Sequence, residues 1–412
     1  MFILAEQVFA GWHYCACKII LNSEVEIGSQ RGTDERSNTL PSTFVPNFHN
    51  KESVKKMKYN RLGNTDIFIS NLSLGCAAIG GLFGEVGDIS VFEILESAIK
   101  NGINFIDTAY WYAQGRSEEL LGKVLLRIPR KSYFISTKVG KFELDFVQHF
   151  DFRADNILQN LTKSLKKLKL AYVDICFVQI HNSEFARHEK IILYETLSAL
   201  EIAKNSGKTR YIGLAAYSLQ KLQSVIDNSA VPIDVVMVYC RGTLNDNSLG
   251  GYVQIFKSKG IGIINASPFS MGLLTAKGPS LWHPMSLNVR EITAAAIQYC
   301  MSKNILIERL ALDYAVNFPC ICSCLVGMES VQQVMANIET VSSKRLTEVE
   351  IKVRSRIMRR YFDVLENADW ENVEMQVYWQ RMKTLGLSAL ATRRELSVEN
   401  QRLTRRASFS LK

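Results

Sequence analysis

Residues 104–123 read NFIDTAYWYAQGRSEELLGK. An apolar strand closes on Asp107, a loop presents Tyr110 and Tyr112, and a helix opens at Ser117 with Glu118 and Glu119 in its first turn, where carboxylates complement the helix dipole. A carboxylate and a phenol therefore lie five residues apart where a strand hands over to a helix. In a closed parallel barrel that is the edge on which chemistry sits.

Outward from this stretch the chain alternates between two kinds of run. Strand-like runs lie at 72–75, 104–108, 133–139, 172–181, 209–215, 235–240, 262–266 and 321–327. Helical patterns lie at 91–100, 117–126, 154–168, 191–205, 219–227, 249–259, 290–301 and 331–341. The strands are short and continuously apolar, as strands covered on both faces must be. Eight such pairs predict an α/β fold, a (β/α)8 TIM barrel, and the lack of a Gly-x-Gly-x-x-Gly turn after the first strand argues against a doubly wound sheet. The segment KYNRLGNTDIFIS, 58–70, predicts an N-terminal hairpin turning near Gly63 and Asn64 over one barrel end. Residues 348–365 predict a C-terminal helical extension. The chain thus divides into an irregular N-terminal extension at 1–57, the barrel at 58–372 and a basic, flexible tail at 373–412.

Composition narrows the function. The 412 residues are 47% hydrophobic and 22% charged, enough for one large core. No apolar run approaches the ~20 residues that cross a bilayer, so no membrane contact is expected. The net charge of +9 is concentrated in part at 392–412, where five arginines and one lysine face two glutamates. A solvated tail explains this better than nucleic-acid binding. Nine cysteines, several inside apolar strands, read as buried thiols of a reducing, cytoplasmic compartment. Cys320, Cys322 and Cys324 are expected to share one strand face, without zinc spacing. Glu6 and the absence of arginine near the start fit neither a mitochondrial nor a secretory signal.

Two later strands end in STKVG, with Lys138, and in VQIH, with His181. Singly, these are a surface lysine, a packed tyrosine, a capping aspartate and an ordinary histidine. In order on successive strand ends, Asp107, Tyr112, Lys138 and His181 resemble the catalytic tetrad of the aldo-keto reductases, a resemblance that covers roughly residues 59–372. It implies an enzyme that uses NAD or NADP on a small carbonyl or sugar substrate. Tyr112 would pass the proton, its pKa near 10 lowered by the Lys138 ammonium, while Asp107 holds Lys138 and neutral His181 orients the substrate oxygen. Tyr110 competes for the proton role, and the family's five-residue spacing selects Tyr112. Ala113 and Tyr110 stand where relatives commonly carry Gly and Pro.

Three further stretches, VQIHNSEF, the loop at 269–288 with Trp282, His283 and Pro284, and CLVGMESVQQVMANIE, resemble the L-galactose dehydrogenase-like branch. That branch oxidises the anomeric hydroxyl of a sugar to a lactone with NAD. Asn182 departs from its usual Asp. The resemblance places the cofactor against Gly75 and Cys76, against the backbone of Ser267, Phe269, Met271 and Leu273, and against Gly327, Gln333 and Asn337 on the adenosine side. Ala215, Ala216, Met237 and Ala266 occupy positions where many relatives hold the nicotinamide with Ser, Asn, Gln and Tyr. Gly327 and Gln333 replace the Lys and Arg that grip a 2′-phosphate, so NAD is expected over NADP. Reduction of a small aldehyde or ketone is the related reading. A catalytically weak nucleotide-binding barrel is the alternative of a different class. The expected assembly is a monomer or weak oligomer.

Overall fold

The computed structural model describes residues 40–80, 88–142, 150–180, 185–280, 283–342, 345–371 and 373. Eight parallel strands close into a barrel: β3 (Leu72–Gly75), β4 (Phe105–Asp107), β5 (Phe134–Val139), β6 (Val173–Ile180), β7 (Thr209–Ala216), β8 (Val235–Tyr239), β9 (Gly262–Ala266) and β10 (Ser323–Gly327), with β10 returning to β3. The register sets the rim: Gly75 pairs with Asp107, Asp107 with Ser136, Lys138 with Phe177 and Gln179 with Ala215. Asp107 and Lys138 are thereby carried to one side of one mouth.

The hairpin of β1 (Tyr59–Arg61) and β2 (Phe68–Ser70) closes the opposite end. Its Leu62, Ile67 and Ile69 join Phe105, Ile175, Phe177, Met237 and Ile264 in one buried interior cluster. The turn lies almost in contact with the β9 backbone, since a Cβ on Gly63, which has φ +57°, would fall 2.3 Å from the Gly262 nitrogen. Only glycine tolerates both demands.

Outside the barrel, helices cover the strands by buried stripes. The helix α4 (Ala154–Leu168) buries Ile157, Leu161, Ser164, Leu165 and Leu168, the three- and four-residue spacing of one helical face, and ends at Lys169 in a left-handed conformation. It packs tightly on α3 (Arg116–Val124), the helix that follows the loop carrying Tyr110 and Tyr112. A Cβ on Gly122 would lie 1.9 Å from the Lys167 carbonyl oxygen. Gly122→Ala is therefore expected to force the helices apart at an overpacking cost of about 1–3 kcal/mol and to lower Tm by a few degrees. An unchanged melting curve would show that the contact yields freely.

Several features differ from the sequence reading. The stretch at 1–57 is not irregular throughout, because α1 (Lys51–Lys56) forms behind Asn50, whose side chain accepts from the N–H groups of Glu52 and Ser53. With Val54 as its one buried residue, it shows no periodicity to read. Two helices, α9 (Leu287–Met301) and α10 (Ile307–Val316), separate β9 from β10 where one is expected. Cys320, Cys322 and Cys324 do not share a strand face: β10 begins at Ser323, Cys320 has φ +62°, and Cys322 and Cys324 belong to different buried clusters. The helical extension is present as α12 (Glu348–Ile357), a π turn and a final 3-10 turn ending at Leu365. Residues 1–39 and, apart from Val373, the tail at 373–412 lie outside the described residues. Among the described residues no helix is long and apolar enough to cross a membrane.

Candidate active site

Asp107 and Lys138 form a fully buried ion pair at the rim, and Ser136 Oγ donates to the second Asp107 oxygen at 2.7 Å. Lys138 Nζ also donates to the Thr108 carbonyl at 3.1 Å and to Tyr112 Oη at 3.0 Å. Tyr112 Oη in turn donates to Asp107 Oδ2 at 3.3 Å. Carboxylate, ammonium and phenol thus form one closed triangle, with the ammonium 4.7 Å from the centre of the phenol ring. His181 lies outside the described residues.

The loop that delivers Tyr112 is held in an unusual shape. Ala113, Gln114 and Gly115 all have positive φ, at 53°, 55° and 86°. A left-handed Ala costs about 1–2 kcal/mol, so the loop must be pinned by its neighbours. Gly115 N–H donates to the Tyr110 carbonyl at 2.6 Å, and Ser117 Oγ donates to the Cys76 carbonyl at 2.9 Å and lies 2.9 Å from Thr108 Oγ1. Tyr110 faces elsewhere, its ring edge-on to Phe142 at 6.2 Å. Behind the loop Glu118 is fully buried, accepting from Thr137 Oγ1 at 2.7 Å, and its carboxyl is pushed up by burial.

The electrostatics correct one expectation. Lys138 does not bring the Tyr112 phenol down: burial, and then the Asp107 charge and hydrogen bond, hold it well above its ordinary value. Burial also lowers Lys138 itself. A compact ion pair presents little net positive field, so the dry surroundings and the carboxylate oxygen prevail. The phenol is a neutral donor in this state.

The positions assigned to a cofactor differ in what they offer. Gly75 ends β3, whereas Cys76 is sealed in the wall, with its N–H given to the Asp107 carbonyl. In the loop after β9, Ser267, Ser270, Met271 and Gly272 adopt positive φ. The N–H groups of Ser267, Ser270, Gly272 and Leu273 are already donated to protein carbonyls, which leaves, among the described residues of this turn, those of Phe269 and Met271 for a ligand. Gly327 is exposed with open space at its Cα, and Gln333 Oε1 accepts from Glu329 N–H at 2.9 Å. Asn337 lies half-buried on α11 (Val331–Ser342). Met237 and Ala215 are apolar and interior, as read.

Residues 369–371 form a strap that the sequence does not announce. Arg241, 4% exposed, pairs with Asp246 at 3.0 Å, with Asp369 at 3.1 Å and with Glu371, and it lies 3.9 Å over the Tyr217 ring. Trp370 stacks on Tyr217 at 4.8 Å and meets His283 edge-on at 5.1 Å. His283 accepts from Met285 N–H through Nδ1, which leaves its Nε2 proton for the Ser270 carbonyl at 2.9 Å. Burial lowers its pKa, so it stays neutral and locks the long loop. Trp282 lies outside the described residues.

A parallel eight-stranded barrel with a buried carboxylate, ammonium and phenol at its rim has the make-up of a (β/α)8 oxidoreductase. Residues 71–357 match the Aldo/keto reductase family, and the chain belongs to that family of NAD(P)-dependent oxidoreductases. It is 36% identical over 322 residues to L-galactose dehydrogenase of Arabidopsis thaliana, covering 77% of this chain and 98% of that protein. It is 28% identical over 324 residues to D-arabinose 1-dehydrogenase of Saccharomyces cerevisiae, covering 74% of this chain and 94% of that one. The aldo-keto reductase AKR11C1 of Bacillus halodurans shares the fold, with TM-score 0.59 and 22% identity over 73% of this chain and 96% of that one.

Proposed function

We propose that the enzyme oxidises the anomeric hydroxyl of an aldose such as L-galactose to the lactone, with NAD as acceptor. The observation that carries this reading is the 36% identity to L-galactose dehydrogenase along 98% of that protein. The site fits the nucleotide: the free N–H groups of Phe269 and Met271 suit a pyrophosphate, and the open surface at Gly327 admits the adenosine side. When bound, the nicotinamide supplies the hydride acceptor. The protein's own part is the proton. Tyr112 Oη, fixed between Lys138 and Asp107, takes it from the sugar hydroxyl in oxidation and returns it in reduction; Lys138 stabilises the phenolate during that exchange, and His181 orients the substrate oxygen.

NAD is preferred because a 2′-phosphate lacks partners. A dianion needs charge-assisted donors, and Gly327 and Gln333 bring none, while Glu329 would repel it and accept from a ribose diol instead. Arg241 is withdrawn from this role by its three carboxylates. Lys277, exposed after β9, is the remaining substitute. Two missing charge-assisted bonds, each worth roughly 1.5–3 kcal/mol, are expected to favour NAD by about a hundredfold or more in kcat/KM. Steady-state kinetics with both nucleotides and one substrate checks this, and a tenfold or larger preference for NADP would overturn it.

A further inference from the structure

The rim above the ion pair carries an acceptor that no described residue uses. Gln179 lies on β6 two residues beyond Phe177, which pairs with Lys138, so it stands about 7 Å nearer the mouth on the same interior face. Its neighbours across the sheet are Ala215 and, next along the row, Met237, both buried in the barrel interior. Neither offers a polar side-chain group to its neighbours. Gln179 Oε1 is buried and has no hydrogen-bond partner among the described residues. A buried acceptor left unpaired is unfavourable, and on the interior row of β6, where Ile175 and Phe177 precede it, it has no packing role that Leu or Met would not fill better.

We infer that Gln179 is the anchor for the nicotinamide carboxamide, with Oε1 accepting from the carboxamide NH2. This rests on the nucleotide-dependent reading above. A carboxamide entering this dry row needs an acceptor for its N–H groups, since Ala215 and Met237 give none. Its distance from Lys138 suits an orienting role: the ring is held by its amide arm, one residue pair above the proton-handling triangle. Gln179 is therefore a positioning residue that touches the cofactor and takes no part in proton transfer.

The test compares two nucleotides by quenching of protein fluorescence: NAD, and its 3-acetylpyridine analogue, whose methyl ketone has no N–H to donate. Gln179→Leu is expected to weaken NAD binding by ~tenfold, as loss of one buried hydrogen bond does, while the analogue binds variant and parent alike. Gln179→Met, close to glutamine in length and lacking the amide, should repeat the pattern if the leucine variant does not fold. Equal losses for both nucleotides, or no loss for NAD, would overturn the assignment. So would a rise in sugar KM with NAD binding unchanged, since the acceptor would then serve the substrate. Failure of the parent protein to bind either nucleotide would overturn the functional reading itself, a result distinct from an unselective effect of the substitutions.

Discussion

Tyr112→Phe is expected to lower kcat by at least ~100-fold, the usual loss for a missing general acid or base, while leaving NADH affinity within about twofold. Its hydroxyl is the one tyrosine oxygen in the triangle with Asp107 and Lys138. Tyr110→Phe should be mild, because the Tyr110 ring packs on Phe142 and lies outside that triangle. Parallel kcat and fluorescence-titration measurements separate the two. A crippled Tyr110→Phe beside an active Tyr112→Phe would reverse the assignment.

Lys138→Met should be nearly as damaging, and its signature is the pH profile. The phenol sits well above its ordinary value, so the basic form that oxidation requires is scarce at neutral pH and the rate climbs on the alkaline side. Removing the ammonium takes away the cation that stabilises the phenolate, which pushes the alkaline limb further up. The variant also leaves Asp107 buried with Ser136 and Tyr112 as its remaining partners. Breaking one side of a buried pair typically costs about 3–5 kcal/mol, so Tm should fall as well. A limb that stays in place, measured as log kcat against pH, would show that Lys138 does not control the phenol.

The barrel was legible because its strands are covered on both faces and so are apolar without interruption. The runs at β3 and β9 coincide with the read boundaries, and the others differ by one or two residues because ladder pairing, not composition, ends a strand. The hairpin was legible from its turn. Asp107, Tyr112 and Lys138 were found through their order on successive strand ends and the family resemblance that order carries; the register brings Asp107 and Lys138 together, and hydrogen bonds join both to Tyr112 in the loop. Three things were out of reach of spacing. Arg241 finds Asp369 and Glu371 across 128 and 130 residues of chain. The direction of the Tyr112 shift depends on how closely Asp107 and Lys138 cancel each other, which only the geometry gives. The consumption of four N–H groups in the loop after β9 follows from positive φ at non-glycine residues, a conformation composition does not foretell. Gln179 did leave a trace, a polar residue two beyond Phe177 and four beyond Ile175 on the interior period of β6.

The Asp107–Lys138–Tyr112 triangle is proposed to serve NAD-linked oxidation of an aldose. The most direct measurement is NADH formation from NAD across a panel of aldoses, with the product trapped by hydroxylamine to detect a lactone. NADH formation is expected with L-galactose or a related aldose, with one lactone per NADH and loss of both signals in Tyr112→Phe. NADH formation that survives Tyr112→Phe, or no NADH from any aldose by a protein that binds NAD, would contradict it.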